Sequence, residues 1–74
     1  MSAFTEALEA ALTEKGRGSK MGLADHCGVW RTAVRAWRTG RAKPLYIRWA
    51  EIEEYLDWPP GTVEALISQE KQVI

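Results

Sequence analysis

Apolar residues return along this chain every three or four positions, with polar residues filling the gaps. From Ser2 to Lys15, Phe4, Leu8, Ala11 and Leu12 stand at offsets of four, seven and eight, the stripe of an amphipathic helix. Ser2 is placed to cap it, and Glu6 suits the positive end of its first turns. Gly16-Arg17-Gly18 breaks the pattern, since two glycines in three positions favour a turn. Ser19 is then expected to cap a short helix from Lys20 to about His26, with Met21, Leu23, Ala24 and Cys27 turned inward. Gly22 weakens that helix by about 1 kcal/mol relative to alanine, so it depends on packing. Gly28 suits a left-handed helix end. A third helix is predicted from about Trp30 to Arg38, with Val34 and Trp37 facing inward and Val29 joining them from the turn.

Thr39 to Lys43 reads as a polar loop, and Pro44 suits the start of a fourth helix better than an interior position. Leu45, Trp49, Ile52 and Leu56 recur at four, three and four, which predicts that helix over Leu45 to Leu56. Trp58-Pro59-Pro60-Gly61 then punctuates the chain, with Trp58 expected to seal the bottom of the fourth helix. Val63, Leu66 and Ile67 mark a final helix to about Gln69. No stretch alternates with the period of a strand. The expected fold is all-α: a compact five-helix domain over residues 1–69, followed by a short tail, 70–74. A chain of 74 residues supports one such domain and not a multi-lobed enzyme.

Composition changes this picture little: at 46% hydrophobic and 27% charged residues the chain falls among ordinary folded proteins. No apolar run approaches the roughly 18 residues of a membrane span. MSAFTEALEA has neither the basic start nor the apolar stretch of a signal peptide, so a cytoplasmic location is expected. A single cysteine, Cys27, makes no internal disulfide.

Charge changes it more. The formal net charge is zero, yet residues 1–14 carry −3, residues 15–48 carry +8 and residues 49–74 carry −5. Within the basic middle, GVWRTAVRAWRTGRAK holds four arginines, one lysine and two tryptophans without an acid. Such segregation is either a solvated charged surface or the footprint of a polyanion binder.

The second and third predicted helices, joined by a short turn, have the layout of a helix-turn-helix. The stretch KMGLADHCGVWRTAVRAWRTGRAKP resembles the phage-repressor-like (Xre-type) DNA-binding family, whose members read LA-x-x-x-GV-x-x-x-x-V-x-x-W-x-x-G-x-x-x-P. Leu23, Ala24, Gly28, Val29, Val34, Trp37, Gly40 and Pro44 match it in register. LYIRWAEIEEYLDW is similar to the family's fourth helix and DWPPGTVEALI to fifth helices of actinobacterial members. The resemblance therefore spans about residues 4–68 and favours an actinobacterial or actinophage source. Gly22, Leu45 and Asp57 depart from the pattern, at positions that bear on stability more than on the reading surface.

On a helix from Trp30 to Arg38, inward Val34 and Trp37 leave Trp30, Arg31, Thr32, Arg35, Ala36 and Arg38 toward solvent. A helix in the major groove reads bases chiefly with its N-terminal residues. By that geometry and by the family's matching positions, Arg31 and Thr32 are the expected base readers, and Ala36 is placed to meet a thymine methyl. Arg35 is left between base and phosphate. Trp30 is left between a base methyl, the sugar backbone and a covering role over Met21. Arg17, Ser19, Lys20, Arg38, Arg41 and Lys43 are the expected phosphate contacts, which position the protein and specify little.

Other residues invite blander readings. Trp37 and Trp49 belong to the core by spacing. His26 and Cys27 are adjacent but have no further His or Cys to complete the four ligands of a structural zinc. Glu51, Glu53 and Glu54 read as a solvated helix face, and no nucleophile is paired with a base, so no enzyme, cofactor or small-molecule ligand is expected.

The resemblance implies a sequence-specific regulator of duplex DNA, of repressor type, with a homodimer expected on two half-sites about one helical turn apart. The acidic final helix and Val73-Ile74 are candidates for the dimer contact, simple fraying being the other reading of that tail. The alternative function is a protein-interaction module, anti-repressor or antitoxin-like, binding an acidic partner through Trp30 and the basic helix.

Overall fold

Ser2 starts the first helix as its position in the sequence suggests: its hydroxyl oxygen accepts the Thr5 amide at 3.0 Å and donates to the Thr5 hydroxyl at 2.7 Å. In the computed structural model, which describes residues 2–71, the helices are α1 (Ala3–Lys15), α2 (Ser19–Cys27), α3 (Arg31–Thr39), α4 (Trp49–Leu56) and α5 (Thr62–Lys71). A single 3-10 turn, Tyr46–Arg48, precedes α4. Among the described residues there is no strand, so the fold is all-helical. No helix among them is long and apolar enough to cross a membrane. Val73 and Ile74, the proposed dimer tail, lie outside the described residues, and α5 runs two residues beyond its expected end at Gln69.

One core holds the helices. Phe4, Leu8 and Leu12 of α1 meet Leu23, Ala24 and Cys27 of α2, Val34 and Trp37 of α3, Ile52 and Leu56 of α4, and Val63 and Ile67 of α5. These are the three- and four-spaced stripes, each turned to a common centre. Trp58 packs against this cluster, half-buried, below α4. A leucine such as Leu8, with no exposed surface, would cost about 2–5 kcal/mol if cut to alanine.

Helix ends follow one device twice. At the end of α2, Gly28 takes φ 69°, its N–H donates to the Asp25 carbonyl at 3.2 Å, and Val29 N–H donates to the Ala24 carbonyl at 3.0 Å. At the end of α4, Asp57 takes φ 58°, with Trp58 N–H on the Glu53 carbonyl at 2.9 Å and Asp57 N–H on the Glu54 carbonyl at 3.4 Å. Both are Schellman closures. The second runs through a non-glycine residue in the left-handed region, where aspartate is among the few side chains tolerated.

Four expectations are corrected. Ser19 does not cap α2: Gly18, at φ 85°, precedes the helix, and Ser19 is its first residue, buried, with its hydroxyl donating to the Leu12 carbonyl at 2.8 Å. Met21 is not interior but 49% exposed; it sits to one side of the stripe that Leu23, Ala24 and Cys27 form at 100° per residue. Leu45 lies outside α4, in extended conformation at 69% exposure. The 3-10 turn Tyr46–Arg48 stands between it and Trp49, where α4 begins.

Glu53 is not on a solvated face. It is buried, and its Oε2 accepts the N–H groups of Gly61 and Val63, each at 3.0 Å, so a carboxylate from α4 caps the start of α5.

Candidate nucleic-acid interface

α2 and α3 pack together and are joined by only Gly28, Val29 and Trp30. After the Gly28 turn, Val29 tucks against the core and Trp30 extends at φ −73°, ψ 154°, its carbonyl accepting the Ala33 amide at 3.0 Å. Val34 and Trp37 then pin α3 to the core. That leaves Arg31, Thr32 and Arg35 exposed and Ala33, Ala36 and Arg38 half-buried. Trp30 stands just before the helix at 84% exposure.

Two shallow grooves flank this face. The first, about 490 Å³, runs between α3 and the start of α2, lined by Gly18, Lys20, Met21, Arg31, Thr32, Val34, Arg35 and Arg38. The second, about 380 Å³, is lined by Thr32, Arg35, Ala36, Thr39 and Arg41. Thr32 and Arg35 line both, so they form the ridge between them. Five cations border the two grooves and no carboxylate does. Among the described residues, no acid pairs with Lys20, Arg31, Arg35 or Arg41. The acids lie elsewhere: Glu53 and Glu64 wall a hollow beside α4 and α5, and Glu14 and Asp57 another. The charge segregation seen along the chain is thus largely kept on the grooves, with Glu9 reaching one bordering cation, Arg38.

The expected contacts divide accordingly. Lys20, Arg31, Thr32, Arg35, Ala36 and Arg41 are brought together on the two grooves. Trp30 is exposed at the start of α3, and does not cover Met21, which stays open to the first groove. Lys43 lines a separate hollow with Ser2, Thr5 and Gly40, and Arg17 is exposed in the loop before Gly18. Two expected phosphate contacts are otherwise engaged. The Ser19 hydroxyl is spent inside the fold. The Arg38 guanidinium, at the border of the first groove, is paired with Glu9 and ties α3 to α1.

Residues expected only in the core or not at all also shape the site. Met21 and Val34 give the first groove an apolar floor between its cations. Arg48 donates to the Cys27 carbonyl at 2.9 Å and to Glu51 at 3.2 Å, satisfying the end of α2 and fixing it to α4. Its sequence signal, an arginine three residues before a glutamate, was visible, but its reach back to α2 was not. Cys27 is buried beneath this contact, and burial first, then the Glu51 charge, pushes its thiol up to about 11, with Arg48 acting the other way. The thiol is therefore unreactive at neutral pH. Among the described residues no group of His, Cys, Asp or Glu could hold a metal ion.

Comparison of the chain with protein-family models, with curated proteins and with solved structures finds no match.

Proposed function

We propose that the chain is a sequence-specific regulator of double-stranded DNA, of phage-repressor type, in which α2 and α3 work as a helix-turn-helix and α3 enters the major groove. The observation that carries this reading is the ridge of Thr32 and Arg35, with Arg31 beside it in the first groove, between two grooves lined by cations and free of carboxylates. A face of that kind attracts a polyanion, and a helix whose inner side is locked by Val34 and Trp37 presents its outer side at fixed register. Arg31 offers a planar fork to guanine O6 and N7, Thr32 and Arg35 hydrogen-bond to neighbouring edges, and Ala36 meets a thymine methyl. Lys20 and Arg41 hold the backbone on either side of the ridge, with Arg17 and Lys43 farther out.

Selection of bound duplexes from a randomised library at near-physiological salt tests this. Enrichment of one sequence motif supports base reading. Retention of arbitrary duplexes, sensitive to salt and without enrichment, overturns it.

A second reading draws on Trp30, 84% exposed, and on the apolar floor of Met21 and Val34: the same face binds an acidic protein segment. Absence of enrichment, followed by capture of an acidic partner that an excess of salt releases, would favour it.

A further inference from the structure

The hollow beside α4 and the start of α5 takes no part in the proposed DNA contact, and its walls differ in kind from those of the two grooves. It measures about 310 Å³ and is lined by Tyr46, Ile47, Trp49, Ala50, Glu53 and Glu64. Two of these are aromatic, two are carboxylates, and no cation is among them. The rings are held in place: Tyr46 meets Trp49 edge-on at 5.3 Å between centroids, and Trp49 Nε1 donates to the Pro44 carbonyl at 3.0 Å. One carboxylate is held as well. Glu53 is 8% exposed and uses Oε2 to accept the Gly61 and Val63 amides. Its Oε1 has no hydrogen-bond partner among the described residues and is not sealed from solvent. Glu64 is exposed and has no ion-pair partner among the described residues. Arg48, the nearest cation along the chain, is directed to the Cys27 carbonyl and Glu51 instead.

We infer that this hollow receives a basic side chain, and that a partner protein supplies it on a segment with apolar neighbours. Charge selects the side chain. An open oxygen on a fixed carboxylate, a second acid and two aromatic rings are the surroundings that an ammonium or guanidinium favours, through charge-assisted hydrogen bonds and attraction to the rings. A phosphate or an acidic peptide is repelled there, so this is not a second contact for DNA. The adjoining surface selects the partner. Leu45, Tyr46 and Ile47 are consecutive and 69%, 76% and 66% exposed, an apolar strip that runs into the hollow through Tyr46 and Ile47. A free amine small enough for the hollow would leave that strip in water. A polypeptide that carries its cation into the hollow lays flanking apolar side chains along the strip and covers both, and an exposed apolar patch with a polar border is the usual mark of such a contact. The inference stands apart from the DNA reading: the basic grooves and this acidic hollow are separate surfaces and attract opposite charges.

Amide-shift titration of the DNA-free protein tests the inference. The probe is a pool of acetylated, amidated pentapeptides that read serine, apolar, lysine, apolar, serine, with the apolar positions drawn from leucine, isoleucine, valine and phenylalanine. Shifts are expected to gather at residues 45–50 and 61–64. A pool with glutamine in place of lysine should bind roughly tenfold more weakly. Glu64→Gln and Tyr46→Ala, both at exposed positions, should each weaken the lysine pool about threefold, with unchanged helicity by circular dichroism. The absence of shifts at these residues overturns the inference, as does equal binding of the glutamine pool or wild-type binding by both folded variants. Two further outcomes overturn it by naming another occupant: shifts there that follow protein concentration alone, which assign the surface to a second copy, and n-butylammonium binding as tightly as the lysine pool, which assigns it to a free amine. No DNA is present and no groove residue is altered, so failure here leaves the DNA reading standing, and a failed duplex selection leaves this surface standing.

Discussion

The Tyr55 hydroxyl occupies the space that a side chain at residue 22 would need: a Cβ built on Gly22 would lie 2.2 Å from it. That hydroxyl donates to the Ser19 carbonyl at 3.1 Å, and Lys15 Nζ sits 4.7 Å from the centre of the Tyr55 ring. One aromatic ring therefore joins α1, α2 and α4. Helix propensity alone would reward Gly22→Ala by about 1 kcal/mol. The clash is expected to reverse the sign, giving a net loss of about 1 kcal/mol in urea unfolding. Adding Tyr55→Phe should recover part of it, because the nearest contact goes while the ring carbon at 3.0 Å stays. A gain in stability from Gly22→Ala would mean that Tyr55 swings aside at no cost.

Cations on the grooves and cations committed to the fold should separate by salt dependence. Lys20→Ala and Arg41→Ala are each expected to make the log-log dependence of duplex affinity on salt shallower by about 0.9. Arg38→Ala removes the partner of Glu9 instead. It should leave that slope near wild type and lower stability by about 1 kcal/mol or less, since both side chains are partly exposed. Titrations at three salt concentrations distinguish the cases, and an Arg38→Ala slope as shallow as that of Lys20→Ala would place Arg38 on phosphate.

Base reading by Arg31 has its own signature. On a duplex obtained by selection, Arg31→Ala should relax discrimination at one base position by about 1–3 kcal/mol, roughly five- to 150-fold, while other positions keep their preferences. Competition titrations with single-base variants measure this. Equal weakening on every variant would make Arg31 a phosphate contact.

How much of this was legible beforehand can be judged residue by residue. The inward stripes were clear because Leu8, Val34, Trp37 and Ile52 repeat at helical spacing, and a period survives any tertiary context. Leu45 misleads because its spacing to Trp49 continues the same period across a residue that the fold holds extended, ahead of the Tyr46–Arg48 3-10 turn. Ser19 suits a cap by residue type alone, yet the helix begins one residue earlier, after left-handed Gly18, and the hydroxyl turns inward to the Leu12 carbonyl. Arg38 and Glu9 lie 29 residues apart, and Glu53 reaches Gly61 and Val63 across a turn. Such pairings depend on how helices are set against one another, which periodicity does not encode.

Glu53 illustrates that hidden class and is open to test. One carboxylate oxygen holds two N–H groups at the start of α5. Glu53→Ala should cost about 2 kcal/mol by leaving those donors without a partner. Glu53→Gln keeps an acceptor but loses the charge-assisted strength, so about half that loss is expected. Equal losses in urea unfolding would show that shape, and not the acceptor, is what the position supplies.

The buried thiol predicts a dependence on alkaline pH. In the unfolded chain Cys27 ionises near its ordinary 9.0, but in the folded chain not until about 11. Between those values the folded state holds a proton that the unfolded state has released, so stability is unaffected below pH 9 and falls as pH rises toward 11. The full loss is on the order of 2 kcal/mol. Every other group in the chain is common to a Cys27→Ala variant. The quantity to measure is therefore the difference in unfolding free energy between wild type and that variant at pH 8, 9, 10 and 11. Cys27→Ala starts lower because of the cavity it leaves, and the gap should narrow with pH as the wild-type advantage drains away. Two parallel curves would show that the thiolate finds compensation inside the fold, through Arg48 or water, that the geometry around Cys27 does not suggest.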